Sequence, residues 1–385
     1  MNQQAEKVKH IFLEKFVSTP QIYFSPGRIN LIGEHIDYND GYVMPAAIDK
    51  GIYYAVAGNL SNEIHFYSVD FDETFSVNVA DVHRMEGWKN YVLGVVNELL
   101  ILGKPLTGFD CVFGGDIPSG AGMSSSAAVE GGLAFALNEI FNCDLNRVEL
   151  ALLCQRAEHT FPLVKCGIMD MYASLNGKKD HVLLLDCKNI THQYFPLQLD
   201  EYKIVLINSK VHHSLADGAY NVRRQRCEEG LQILKNELHI NSFRDIENAE
   251  TIEPYKAMMQ PKVYNCCKYV VEEIQRTKKA AVLLEQHNLA DFGKLMFDTH
   301  EGLSKLYEVS CAELDFLVDA AAENRGVAGA RLMGGGFGGC TINIVKENAV
   351  ADFVLEMTDA YKKQFDIVPE AYIIETADGT CRIDL

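Results

Sequence analysis

The stretch that most constrains the fold runs from Gly114 to Phe141, GGDIPSGAGMSSSAAVEGGLAFALNEIF. Residues Phe109 to Gly115 read as a strand, and Pro118, Ser119, Gly120, Ala121 and Gly122 form a run of small residues behind it. Met123 and three serines, Ser124, Ser125 and Ser126, then lead into a long, alanine-rich apolar segment with helical character. A strand therefore feeds a glycine loop, and the loop feeds a helix N-terminus. Glycines let backbone approach a ligand closely, and the first helical amides have no partner inside the helix. With the positive end of the helix dipole they make a site for phosphate. The serines add hydroxyls that can cap the helix, bind phosphate oxygens or hold a metal. A merely capped helix after a turn is the competing reading. The length of the small-residue run and the signals elsewhere favour phosphate.

A chain of 385 residues is long enough for two domains and a large core. Its 48% hydrophobic and 23% charged residues describe an ordinary globular protein. A net charge of −18 argues against sequence-independent nucleic-acid binding, so any anionic ligand must be met by local positive groups. The N-terminal MNQQAEKVKHIFLEKF is charged and amphipathic, unlike a signal peptide, and no run is long enough to span a membrane. Eleven cysteines without metal-type spacing read as reduced thiols of a cytoplasmic protein, expected to be a monomer.

The second informative stretch is Ser25 to Lys50, SPGRINLIGEHIDYNDGYVMPAAIDK. Arg28, Glu34, His35 and Asp37 fall within ten residues among apolar neighbours, a density of polar groups suited to hydrogen-bonding a polyol. A calcium loop on Asp37, Asn39 and Asp40 fails, because the glycine comes one place early and the twelfth position is Ile48. A solvated turn is the remaining alternative. Residues 51 to 80 alternate as strands, and Trp88 to Gly103 is spaced as a helix, with Trp88 and Tyr91 candidates either to flank a purine or to pack in the core. A further helix from about Asn146 to Phe161 carries Glu158 near its C-terminal end, where a carboxylate opposes the dipole and invites a cation. In CGIMDMYASL, Asp170 sits inside an apolar run; a carboxylate there is costly unless paired, which leaves a functional carboxylate or a structural salt bridge.

A third glycine-rich stretch, MGGGFGGCTINIV from Met333, formally satisfies GxGxxG. A dinucleotide fingerprint must open a helix, whereas here a β-type run follows, so a glycine bend passing close to a catalytic centre fits better. No GxxxxGK[ST] and no protein-kinase loop set is present.

Taken in order, PGRINLIGEHIDYNDG, PSGAGMSSSAA and GGGFGGC resemble the three motifs of the small-molecule kinase family that includes galactokinase, homoserine kinase, mevalonate kinase and phosphomevalonate kinase. The first of them resembles the galactokinase signature specifically. AEHTF at Ala157, CGIMD at Cys166, VRRQRCEE at Val222 and YEVSCAELD at Tyr307 extend the likeness over nearly the whole chain.

The resemblance implies an α+β, two-domain small-molecule kinase fold. Its N-terminal domain (1–190) would be like a ribosomal-protein module and its C-terminal domain (191–385) ferredoxin-like, with the active site between them and the last strand a candidate to return to the first domain. It implies ATP-dependent phosphorylation of galactose at the C1 hydroxyl. Asp170 would be the base and Arg28 its neighbour; Glu34, His35, Asp37, Gly167 and Tyr220 would bind the sugar. Pro118, Ser119, Gly120, Ala121, Gly122, Met123, Ser124 and Ser125 would wrap the phosphates of ATP, with Trp88 at the base, and Ser126 and Glu158 would hold Mg²⁺. Where members of the family often carry a proline and an amide around the base, this chain has Lys165 and Met171, which bears on the identity of the sugar. The alternatives are a kinase for N-acetylgalactosamine or L-arabinose, and a silent sensor of sugar and ATP; the intact Ser125, Ser126, Asp170 and Glu158 speak against the sensor.

Overall fold

The computed structural model describes residues 3–118, 120–212 and 216–384. The chain opens with α1 (Gln3–Lys15) and β1 (Gln21–Asn30), then β2 (Tyr42–Val43), the long β3 (Pro45–Gly58), and a hairpin of β4 (Glu63–Ser68) and β5 (Glu73–Asn78). Next come α2 (Lys89–Ile101), β6 (Phe109–Gly115), α3 (Ser125–Ile140), α4 (Arg147–Thr160), α5 (Met169–Asn176), β7 (His181–Asp186) and β8 (Thr191–Pro196). The later chain supplies β9 (Tyr202–His212), four helices, α6 (Ala216–Leu238), α7 (Pro261–Glu285), α8 (Leu289–Lys305) and α9 (Ala312–Glu323), and β10 (Val327–Leu332). It ends with β11 (Gly338–Lys346), α10 (Val350–Phe365), β12 (Glu370–Ile374) and β13 (Cys381–Ile383).

Three sheets form among the described residues. The largest has the order β13-β1-β3-β6-β4-β5 and is antiparallel except where β4 runs parallel to β6. A second, β2-β7-β8, crosses the expected division at residue 190, since β8 begins at Thr191. The third, β10-β11-β9-β12, is antiparallel throughout. The final strand, β13, pairs with β1 in the first sheet.

Helix α3 lies on β1 and β3 through alanines and glycines, because a Cβ on Gly132 would meet the Tyr54 ring at 2.4 Å. That close approach fixes the helix start over the sheet. Helix α4 begins at a capping box in which the Asn146 side chain takes the amides of Val148 and Glu149 while Glu149 returns to the Asn146 amide. Helices α9 and α10 cover the third sheet, burying Leu317, Phe353 and Tyr361 against Val205 and Ile207. The glycine stretch after Met333 is the turn between two strands, β10 and β11, and opens no helix.

Candidate active site

The site starts where β1 changes register between Pro26 and Arg28. There the Arg28 amide donates to the Met123 carbonyl at 3.0 Å, pinning the glycine loop to the strand. Gly27 permits this, since a Cβ would lie 2.7 Å from the same carbonyl. The Arg28 side chain donates from Nε and Nη2 to both oxygens of Asp170, at 2.8 and 2.9 Å, and from Nη1 to the Gly122 carbonyl at 2.5 Å. One guanidinium thus joins the strand, the glycine loop and the start of α5. Burial works against its charge, but the carboxylates of Asp170, Glu34 and Asp37 outweigh burial and raise its pKa. Asp170 is therefore salt-bridged yet open: its side chain keeps 28% of its surface, against 5% for Arg28. Ser124, at a left-handed φ of 57°, makes no side-chain cap; its hydroxyl donates to Asp170 at 2.5 Å.

A polar cavity gathers Glu34, His35, Asp37, Gly167 and Tyr220 with Arg28 and Asp170. Burial, with the charges of Asp170 and Glu34 close by, pushes the Asp37 carboxyl up to about 7, while the amides of Tyr38 and Met169 pull it down. Gly167 has no room for a side chain, because its Cβ would sit 1.7 Å from the Asp37 carboxylate. Burial lowers the His35 imidazole to about 4, so the ring is neutral at pH 7. Its Nε2 lies 3.1 Å from the Gly335 carbonyl, which can only accept, so Nε2 carries the proton and Nδ1 accepts from the Tyr38 hydroxyl at 2.7 Å. Tyr38 in turn meets the Tyr307 hydroxyl at 3.0 Å. Both ring nitrogens of His35 are thus already engaged with protein. Glu34 is buried and ion-paired with Arg331.

Sequence reading gave no role to Arg331, Tyr38 or Tyr307. The signals were present: Arg331 stands two places before MGGGFGG, and Tyr307 opens YEVSCAELD. The two residues that depart from the family pattern do not line the cavity: Met171 is fully buried, and Lys165 is exposed, its carbonyl taking a hydrogen bond from Arg224 at 2.9 Å.

On the other side of Arg28 and Asp170, a second cavity is lined by Pro118, Gly120, Ala121, Gly122, Met123 and the three serines. Ser119 lies outside the described residues. Gly334 and Gly335 border both cavities, and Gly122 at φ 71° faces the third glycine stretch, where a Cβ would come within 3.2 Å of the Met333 carbonyl. Beyond the serines, a cavity of about 300 Å³ is walled by Phe71, Trp88, Tyr91 and Phe113. The Phe71 and Trp88 rings are parallel at 5.8 Å, and the Trp88 indole donates to Glu73 at 2.8 Å. The three cavities make one track: aromatic, then backbone amide and hydroxyl, then carboxylate.

The donors expected for a cation, Ser126 and Glu158, are adjacent, and the Ser126 hydroxyl bonds the carboxylate. Burial, then the charge of Asp170, pushes Glu158 up to about 7. Beside it Glu130 is fully buried with neither oxygen hydrogen-bonded, its pKa raised by burial and by Glu158. Such uncompensated acidity suits a divalent cation. Among the described residues no group of three or more His, Cys, Asp or Glu is arranged to hold a metal. One carboxylate and one hydroxyl fit Mg²⁺, which takes few protein ligands and completes its shell with water and phosphate oxygens.

The fold and this track define a kinase of the GHMP class. Residues 90–178 match the GHMP kinases N-terminal domain and 280–363 the GHMP kinases C-terminal domain. Methanococcus jannaschii mevalonate kinase shares the fold, with a TM-score of 0.64 at 21% identity over 94% of this chain and 99% of that one. Within the class, residues 10–58 match the galactokinase galactose-binding signature. The galactokinase of Clostridium acetobutylicum is 40% identical over 100% of this chain and 99% of its own length, and that of Bacillus subtilis 37% identical over 97% and 98%. The structure of Lactococcus lactis galactokinase complexed with galactose superposes with a TM-score of 0.95 at 32% identity, covering 98% and 99% of the two chains. The chain belongs to the galactokinase family.

Proposed function

We infer that the protein transfers the γ-phosphoryl group of ATP to the C1 hydroxyl of galactose, giving α-D-galactose 1-phosphate. The observation that carries this reading is the position of Asp170. Its open carboxylate faces a polar cavity on one side and the phosphate loop on the other. Asp170 takes the C1 proton as the hydroxyl oxygen attacks, and Arg28 faces the charge that builds between the attacking oxygen and the phosphoryl group. Phosphoryl transfer asks mainly for positioning and electrostatic stabilisation, which a fixed bidentate ion pair provides.

Asp37, the free oxygen of Glu34, the Gly167 backbone and the Tyr220 phenol hold the sugar. His35 shapes the cavity as a neutral ring with both nitrogens engaged. The loop 118–125 encloses the phosphates, and Trp88 with Phe71 and Tyr91 encloses the adenine. Ser126 and Glu158 would hold Mg²⁺, which would supply positive charge against the phosphates of ATP. We place the division between the two domains after β8, where strand pairing changes sheets. A coupled ADP-release assay across galactose, N-acetylgalactosamine, L-arabinose, glucose and mevalonate tests the reading. Galactose is expected to give the highest kcat/KM, and a clear preference for another of these compounds would overturn it.

A further inference from the structure

Arg331 is fully buried, and every hydrogen bond it makes is spent on one neighbourhood. Its Nε donates to the Leu31 carbonyl at 2.9 Å, Nη2 to the Asn30 carbonyl, and Nη1 to the Leu332 carbonyl at 2.5 Å and to Glu34 Oε2 at 2.9 Å. Glu34 Oε2 also takes the Gly334 amide at 3.1 Å, and the Tyr269 hydroxyl holds the Glu34 carbonyl at 2.8 Å. One carboxylate oxygen is therefore saturated, while no described residue donates to Oε1 and the side chain lines the polar cavity. Nearly three hundred residues separate the partners, so the pair also ties the segment after β1 to the glycine bend that borders both cavities.

We propose that Arg331 is a positioning residue for sugar recognition: it consumes Oε2 of Glu34 and so presents Oε1 alone, in one orientation, as acceptor for a single sugar hydroxyl. A long, buried carboxylate has three rotatable bonds, and a planar guanidinium fixed by three backbone carbonyls removes that freedom as an ammonium would not. The same contacts set the place of Gly334, so the sugar side is aligned with the transfer side. The proposal rests on reading the polar cavity as the sugar site.

The test compares Arg331→Met, Arg331→Lys, Glu34→Gln and the Arg331→Met/Glu34→Gln double variant. Each is assayed for the KM of galactose, the KM of ATP and kcat, with thermal unfolding followed in parallel. Arg331→Met is expected to raise the galactose KM by about 10- to 100-fold with the ATP KM within about twofold, since an oriented hydrogen bond to a charged group contributes a factor of this order. The double variant is expected to lose no more galactose affinity than the worse single one, because each change disables the same hydrogen bond. Arg331→Lys, which keeps the charge but loses the fork, is expected to recover stability more than galactose KM. It also serves as the folded comparison should Arg331→Met fail to fold. Equal loss in both KM values, full recovery of galactose KM by lysine, or additive losses in the double variant would overturn the proposal. An unchanged galactose KM in Glu34→Gln would instead remove Glu34 from the sugar site, so failure of the underlying reading is distinguishable.

Discussion

Two arginine–carboxylate pairs flank the same cavity, and they are built oppositely. Arg331 and Glu34 are sealed, with side-chain exposures of 0% and 3%, whereas in Arg28 and Asp170 the cation is covered at 5% and the carboxylate left open at 28%. Glu34 offers one oxygen to Arg331 and one to the cavity; Asp170 accepts from Arg28 with both oxygens and still takes the Ser124 hydroxyl. The difference fits the roles proposed for the two carboxylates. A group that only orients a ligand gains from being locked on one side, while a group that must accept a proton needs access to the reacting hydroxyl and a charge partner that does not move.

The largest expected effect breaks the open pair at its carboxylate. Asp170→Asn keeps the shape and removes the base, so kcat should fall by about 100- to 10,000-fold while galactose still binds in calorimetry. Wild-type turnover in that variant would show that the carboxylate is not the proton acceptor. The next contrast is in stability. Arg331→Met strands a buried carboxylate and should lower unfolding stability by about 3–5 kcal/mol in denaturant titration. Arg28→Met leaves Asp170 partly in water and should lower it by less, about 1.5–3 kcal/mol. A larger loss for Arg28 would invert the comparison.

A third test moves a carboxylate without touching either pair. In Gly167→Ala the new methyl collides with Asp37, and the galactose KM should rise between about ten- and 100-fold with the ATP KM unchanged. The smallest effect is in pH. Asp37 is raised by burial to about 7, so its contribution to the stability of the ligand-free protein is present below the unfolded value near 4 and lost as pH rises through about 7. An ionised Asp37 accepts from the sugar, so galactose KM should rise by about threefold to tenfold between pH 8 and 6, and Asp37→Asn should flatten that profile. Glu158 is also raised to about 7, by burial and by Asp170, but is bonded to Ser126 outside the polar cavity, and the His35 imidazole, lowered to about 4, stays neutral throughout.

Much of this was legible in the chain. Loop and helix from Pro118 to Phe141 follow from glycines, serines and an alanine-rich run, and the strand after GGGFGGC follows from its β-branched residues, which excluded a dinucleotide fingerprint. What was not legible depends on partners far along the chain. The Ser124 hydroxyl reads as a cap, yet its αL backbone turns it away from the amides and onto Asp170. Glu130 lies in an apolar helix and Glu158 in a different one, and periodicity cannot tell that Glu158 comes close enough for its charge to raise the Glu130 pKa. The parallel pairing of β4 with β6 is invisible to alternation, which gives strands but not their order. Arg331 looks like a strand residue until Glu34 is placed beside it.

Asp170, held by Arg28, is proposed to stand between a sugar and a phosphate chain. The measurement that tests it most directly is a crystal structure with galactose and a non-hydrolysable ATP analogue bound together. The C1 hydroxyl is expected about 3 Å from an Asp170 oxygen, with the phosphates along residues 118–126. A sugar whose C1 points away from Asp170, or a nucleotide bound elsewhere, would contradict it.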